Sequence, residues 1–242
     1  MCDEWMPLIK LPLSWDEFQQ LPRNAAYKYE YFDQTAYLTP RPKHYHTLLD
    51  LSTFQPGEAE PMERVTLRRA EEADFADLVP LFTAAFRRIQ PFGSLNDATR
   101  EEAARRALDK TRTGGDGPLI ESASFVALDG ADRQAVGAIL VTLLPAGDPC
   151  EWESYYWPVL PPADVIVRRQ GRPHLTWIFV APLWAGHGVG TALLAASVGE
   201  LRALGYAELA STFMIGNDAS MLWHWRNGFR LLPSPGSRRR RE

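Results

Sequence analysis

Between residues 185 and 191 the chain reads AGHGVGT, with Gly186, Gly188 and Gly190 alternating with other residues. The stretch separates a β-rich run, HLTWIFV (174–180), from a long apolar segment that begins TALLAASV (191–198). A strand that feeds directly into a helix leaves the first-turn N–H groups of that helix without intrahelical partners. Those donors, with the positive end of the helix dipole behind them, form a site for an anion. Alternate glycines let a phosphate reach the backbone with no Cβ in the way, and they tolerate positive φ. The residue types and spacing therefore read as a pyrophosphate cradle. His187 lies inside it, where its amide matters more than its ring.

Two other readings of the same loop stay open. A dinucleotide fold uses G-x-G-x-x-G straight off a strand, with an acid about twenty residues on. Here the third glycine comes one position early, Thr191 stands where the motif needs glycine, and Pro182 interrupts strand and loop. Glu208 stands at the right distance beyond Gly188 for that motif's acid. The third reading is close helix–sheet packing with no ligand.

The elements that must position this loop follow from periodicity. Residues 1–52 read as an extension: SWDEFQQL as a short helix capped by Ser14, then YKYEYFDQTAYLTP as a β-hairpin turning at Asp33–Gln34. With so few aliphatic residues, this segment is expected to dock on the rest rather than fold alone. Residues 53–62, with Pro56, Gly57 and Pro61, read as a linker. RVTLRRA then reads as a strand. Phe75, Leu78, Val79 and Phe82 fall at i, i+3, i+4 and i+7, one face of a helix. A second helix is predicted from Asp97 to about Arg112, ending near Gly114–Gly115. SASFVALDG and AVGAILVTLLP flank a polar turn and make an antiparallel pair. After HLTWIFV come a helix from Val189 to Leu204 stopped by Gly205, a strand AELASTFMI, a short helix from Ser220 to Asn227 ended by Gly228, and a strand FRLLP. The sum is an α/β chain with a mixed sheet and helices on its faces. PAGDPCEWESYYWPVLPPAD (145–164) reads as an irregular aromatic insertion. It either walls an acceptor pocket or forms a patch covered by the N-terminal segment or by the second subunit of a homodimer.

VAPLWAGHGVGTALL (180–194) resembles the acetyl-CoA motif of the GNAT N-acetyltransferase superfamily, V-x-P-x-x-[R/Q]-G-x-G-x-[G/A]-x-x-L, with Val180, Pro182, Gly186, Gly188, Gly190 and Leu193 or Leu194 in register. NDASMLWHWRNGF (217–229) resembles the family's second motif through Asn217, Ser220, Gly228 and Phe229. LRRAEEADFADLVPLF looks like its first strand and helix. The resemblance covers about residues 63–233, leaving 234–242 as a basic, flexible tail. It implies a mixed, mostly antiparallel central sheet with helices on both faces, and acetyl-CoA as co-substrate with no metal. In such a fold the strand ending at Val180 splays from the next strand, and backbone groups of Phe179 and Val180 bind the pantetheine arm like an added strand. The loop from Ala185, with the amides of Gly186, His187, Gly188, Val189, Gly190 and Thr191, binds the pyrophosphate. An amine attacks the thioester directly, and a backbone N–H near Val180 steadies the oxyanion; losing one such donor costs on the order of 3 kcal/mol. Asn217 fixes the splay or the cofactor arm.

Two residues depart from the family pattern. Ala185 stands where Arg or Gln is usual, which removes a side-chain phosphate contact but leaves the amides. His224 stands where many members carry the tyrosine that protonates the departing thiolate. It reads either as a general acid or as a packing or capping histidine beside Trp223 and Trp225. The base has several candidates, because no Asp or Glu lies between Asp164 and Glu200. His174 and Thr176 acting through water, Glu151 or Glu153 from the insertion, or an amine that arrives neutral all fit. His44 and His46 share a strand face. A metal pair there would need a further ligand that the sequence does not offer, so they read as surface histidines. The competing function is a non-catalytic acyl-CoA-binding or interaction module.

Composition bounds these readings. At 45% hydrophobic and 23% charged residues, the chain can build a sizeable core. It has no run of eighteen apolar residues to span a membrane, and its first residues do not read as a signal peptide. Cys2 and Cys150 make neither a disulfide framework nor a zinc cluster and suit a reducing cytoplasm. The net charge is −4; the terminal SRRRRE contributes +3, so residues 1–237 carry −7. An acidic body argues against nucleic acid as the main partner. It favours, through weak steering, a cationic amine as the small-molecule or peptide acceptor.

Overall fold

The computed structural model describes residues 9–23, 27–40, 44–56, 64–131, 133–147, 157–214 and 216–233. Cys2, Cys150, Glu151, Glu153, most of the expected linker and the arginine tail lie outside the described residues.

The N-terminal segment forms a small antiparallel sheet from β1 (Ile9–Pro12), β2 (Tyr27–Phe32) and β3 (Thr35–Pro40), with β3 central. Asp33 and Gln34 join β2 to β3 with both φ angles positive, at 49° and 51°, which matches the right-handed twist of a tight hairpin. Helix α1 (Trp15–Gln20) starts at a capping box: the Ser14 hydroxyl accepts from the Glu17 amide, and the Glu17 carboxylate accepts from the Ser14 amide. Phe18 then packs against Tyr27, Ala36 and Leu38.

The next strand, β4 (His44–Asp50), leaves this small unit. It pairs antiparallel over seven residues with β9 (Glu208–Met214), and its other edge carries β10 (Arg230–Leu231). A boundary at residue 52 therefore cuts off an interior strand of the main sheet. Leu48 and Leu49 point to opposite faces of β4, and each is only 1% exposed. Burial on both faces is the signature of an interior strand. Arg202 holds the following turn, donating to the carbonyls of Leu51 and Phe54.

Among the described residues the main sheet has seven strands in the order β10-β4-β9-β8-β7-β6-β5, with β5 (Val65–Arg69), β6 (Phe125–Asp129), β7 (Ala135–Pro145) and β8 (Gly171–Val180). Every neighbouring pair is antiparallel except β8 with β9. Alternation along the strands divides the core. Val126, Leu128, Ala138, Leu140 and Phe179 meet α2 (Asp74–Ala85) and α3 (Asp97–Arg112) on one face. Ala127, Ile139, Val141, Leu143 and Leu175 meet α4 (Val189–Ala203) on the other. Helix α5 (Asp218–Arg226) joins β9 to β10 and starts two residues before the sequence expectation, because Asn217 Oδ1 accepts from the Ser220 amide and caps it. Among the described residues no helix is long and apolar enough to cross a membrane.

Because β4 is integral, Leu49→Ala is expected to destabilise the whole domain by about 2–5 kcal/mol. Urea unfolding should show a lower midpoint for the main transition. A main transition left in place would mean that β4 unfolds separately.

Candidate active site

Strands β8 and β9 pair at only two positions, His174 with Ala210 and Leu175 with Ser211. Beyond them β8 continues to Val180 alongside β7, and β9 continues to Met214 alongside β4. A bulge explains where they part. Leu140 faces Trp177 while Val141 faces Leu175, so Thr176 is an extra residue on β8 and bends that strand. The direction of the backbone groups follows from antiparallel alternation. The Ala181 amide donates to Val136 O at 2.8 Å, which commits alternate residues, Phe179 and Trp177, to β7. The backbone groups of Ile178 and Val180 therefore face the gap. This corrects the expectation for Phe179, whose backbone is used by β7 and whose ring is buried against Phe82 of α2. The backbone groups that face the gap are those of Val180 and Ile178.

The gap leads to the glycine loop. Gly186 and Gly188 have φ of 83° and 82°, a conformation that L side chains rarely adopt. Gly188 caps α4, and the first intrahelical bond runs from the Ala192 amide to Gly188 O at 2.9 Å. The amides of Val189, Gly190 and Thr191 thus have no acceptor within the helix. A Cβ on Gly186 would meet nothing within 4 Å, so the space beside it is open, and Gly186, Gly188 and Gly190 border a common notch. Gly190 has a different reason. Its Cβ would come within 3.0 Å of the Trp223 indole nitrogen, so it is glycine to let α5 pack on α4. Ala185 and His187 are exposed, and the His187 ring folds back onto the Ala185 carbonyl at 3.1 Å. The packing reading accounts for Gly190 but not for the two left-handed glycines.

Notch and gap belong to one cleft of about 1430 Å³, which also reaches the turn between α2 and α3. Its floor is a hydrogen-bond chain that crosses the sheet. His46 Nδ1 pairs with Thr212 Oγ1 at 3.2 Å, and Thr212 Oγ1 with His174 Nε2 at 3.2 Å. His174 Nδ1 pairs with Thr176 Oγ1 at 3.0 Å, and Thr176 Oγ1 with Thr142 Oγ1 at 2.8 Å. The Thr142 hydroxyl donates to Asp116 O at 2.9 Å. A carbonyl only accepts, so that end orients the chain, with donors pointing from His46 toward Asp116 and His174 neutral. Burial pulls His174 down to about 3, helped by His46 and His224. Burial, then His44, takes His46 down to about 4. His46 is thus an interior residue of β4 rather than the expected surface histidine. Among the described residues no group of three or more His, Cys, Asp or Glu is placed to hold a metal.

His224 is buried between β9 and α5 with both ring nitrogens engaged. Nδ1–H donates to Ser220 O at 2.7 Å, and Nε2 accepts from the Ser211 hydroxyl at 2.8 Å. Burial lowers its pKa to about 4, although the Ser220 carbonyl favours the protonated ring. Between the two readings of this residue, the geometry makes it a tie rather than a proton donor to the cleft. Its one N–H is already given to a carbonyl. Sequence reasoning missed Ser211, Thr212 and Thr142, which look like ordinary strand hydroxyls until their strands are brought together.

Three histidines held neutral below their ordinary pKa of 6.5 make the fold acid-sensitive. The unfolded chain binds more protons between pH 6.5 and about 4, so stability is full above pH 6.5 and falls as pH drops through that window. Melting temperature followed from pH 8 to pH 5 should be level above 6.5 and decline below it. His224→Gln, which cannot take up a proton there, should give a shallower decline.

The family described as Acetyltransferase (GNAT) matches residues 97–229, more than half of the chain. In fold the chain is similar to a GCN5-related N-acetyltransferase from Sphaerobacter thermophilus, at 17% identity and a TM-score of 0.50 over 79% of this chain and 50% of that one. It is also similar to the PaiA N-acetyltransferase of Thermoplasma acidophilum in complex with coenzyme A (14% identity, TM-score 0.48, 72% and 94% covered). A GNAT family acetyltransferase from Brucella melitensis in complex with acetyl-CoA gives 20% identity and a TM-score of 0.46, with 71% and 92% covered. No curated protein is significantly similar in sequence. With two motifs, a sheet parted beside a glycine notch, and the family match in agreement, this chain belongs to the GNAT acetyltransferase family.

Proposed function

We propose that the protein is an acetyl-CoA-dependent N-acyltransferase that acetylates a primary amine of a small molecule or peptide. The observation that carries this reading is continuity: the open backbone edge of Ile178 and Val180 runs into the amide notch at the start of α4, within one cleft. An arm bearing amide groups can pair with such an edge as an added strand. A diphosphate fits the unpartnered amides of Val189, Gly190 and Thr191 and the notch beside Gly186. Ala185 adds no charge there, so the backbone does the binding. Acetyl-CoA, when bound, supplies an acetyl thioester.

The remaining roles fall to residues of this chain. The Val180 amide is the donor nearest the end of the open edge and is the group to steady charge on the acyl oxygen. Asn217 caps α5, and His224 ties α5 to β9, so both position the wall that keeps the gap open. Amide formation removes a proton from the amine and returns one to the departing sulfur. His46, His174 and His224 are neutral and engaged at neutral pH, so the amine enters neutral and both protons exchange with cleft water. Two cysteines in the whole chain fit a cytoplasmic setting. The engaged histidines also favour the second reading, an acyl-CoA-binding module without turnover. Thiol release across a panel of amines separates the two, because a module binds CoA esters and releases no thiol.

Gly186 offers a clean test of the notch. Asp and Asn both tolerate its left-handed conformation, and the space beside it is open. Gly186→Asp sets a negative charge against the diphosphate and should weaken CoA binding on the order of 10- to 100-fold by calorimetry. Gly186→Asn should stay within about 3-fold of the parent. Equal affinities for all three proteins would place the diphosphate elsewhere. A second test follows from the neutral amine: kcat/KM should rise with pH through the acceptor's own pKa and move with it when the acceptor is changed. A pH midpoint independent of the acceptor would instead reveal an enzymic base.

A further inference from the structure

The cleft has a second half that the cofactor notch does not use. It lies on the α2–α3 side of the sheet, next to the point where β8 bends. Trp177 follows the bulged Thr176, its indole donates to Thr111 Oγ1 of α3 at 2.9 Å, and its ring stands 5.9 Å from Phe86 and 6.3 Å from Phe92. The turn that carries those phenylalanines therefore faces the place where the two strands part, and it contributes Arg87 and Arg88 to the lining.

The charge of the lining runs opposite to that of the protein. The whole chain carries −4, yet the charged lining residues among those described are Arg87, Arg88, Lys110, Arg226 and a single acid, Asp116. That acid is committed: one oxygen is held by Lys110, and the other accepts from the Thr111 hydroxyl at 2.7 Å. Arg226 lies in the last turn of α5, on a different element from the α2–α3 turn. Arg88 makes no ion pair among the described residues, and Arg87 reaches Asp97 only at 3.6 Å across an exposed pair. Among the described lining residues a cationic acceptor finds no available carboxylate, whereas an anionic group finds two guanidinium forks suited to carboxylate or phosphate.

We infer that the acceptor is an amine that also bears an anionic group, a carboxylate or a phosphate, held by Arg87 and Arg88. Long-range steering by an acidic body favours a cation, but it is screened over about 8 Å at physiological salt, whereas a direct contact is screened much less. The inference rests on the acyltransferase reading for the fate of the ligand, though not for its binding. Calorimetry on the CoA-saturated protein tests it with three sets of primary amines: amino acids, amino-sugar phosphates, and their uncharged amide or dephosphorylated counterparts. Carboxylate- or phosphate-bearing amines should bind, and the arm that binds identifies which anion is used. Arg87→Ala/Arg88→Ala should weaken that binding on the order of 10- to 100-fold while the CoA-induced rise in melting temperature stays. Arg87→Lys/Arg88→Lys should recover part of the loss. Equal binding by the amide or dephosphorylated counterparts, no binding by any anionic amine, or an unchanged affinity in the double alanine variant would each overturn the inference. Thiol release from acetyl-CoA, supplied in place of CoA with the same amines, decides the enzymatic reading separately: anionic binding without release leaves the ligand class standing and removes the catalysis.

Discussion

The two-position contact between β8 and β9 is the constraint on which the site depends. Adjacent strands normally pair along their length, because an unpaired backbone donor or acceptor that is buried costs as much as a lost hydrogen bond. Here the pairing stops at Leu175 and Ser211, and the edge it exposes belongs to Ile178 and Val180. Such an edge persists only if each strand is held from its other side. β7 holds β8 to its end and β4 holds β9 to its end. The cleft is therefore a feature of a fully braced sheet and not of a frayed one.

This gives the N-terminal strand a functional meaning. β4 comes from the far start of the chain and lies between the last two strands, with Leu48 and Leu49 buried on its two faces. It supports the β9 side of the gap and carries His46, one end of the polar chain beneath it. The side chains of Thr212, His174, Thr176 and Thr142 satisfy one another where the bulge and the parting of the strands bring them together. Low dielectric strengthens such a network when it is complete and penalises it when it is broken. The same burial that secures it keeps His46, His174 and His224 below their ordinary pKa and so neutral near pH 7.

On the helix side, the three glycines divide the work. Two supply left-handed turns that hold the amides of α4 toward the notch, and the third makes room for Trp223. His224, the next residue, then locks α5 to β9 through Ser211. The helix that packs on the cradle and the strand that borders the gap are thus fixed by neighbouring side chains.

Much of this was legible in the sequence. The Ser14 cap, the Asp33–Gln34 turn, the apolar stripe of α2, the Gly205 stop and the glycine loop are local signals, set by φ preferences, capping chemistry and periodicity over a few residues. The GNAT motifs fixed the family, and with it the expectation of a splayed strand pair. Three things were decided only by tertiary structure, and each depends on partners distant in sequence. The place of β4 follows from pairing with residues more than 150 positions later. The backbone phase that selects Ile178 rather than Phe179 follows from register with β7. The fate of His224 follows from a serine on a neighbouring strand and a carbonyl one helical turn back. Residue type and spacing say which groups are able to do chemistry, whereas burial and hydrogen-bond partners decide which remain free to do it.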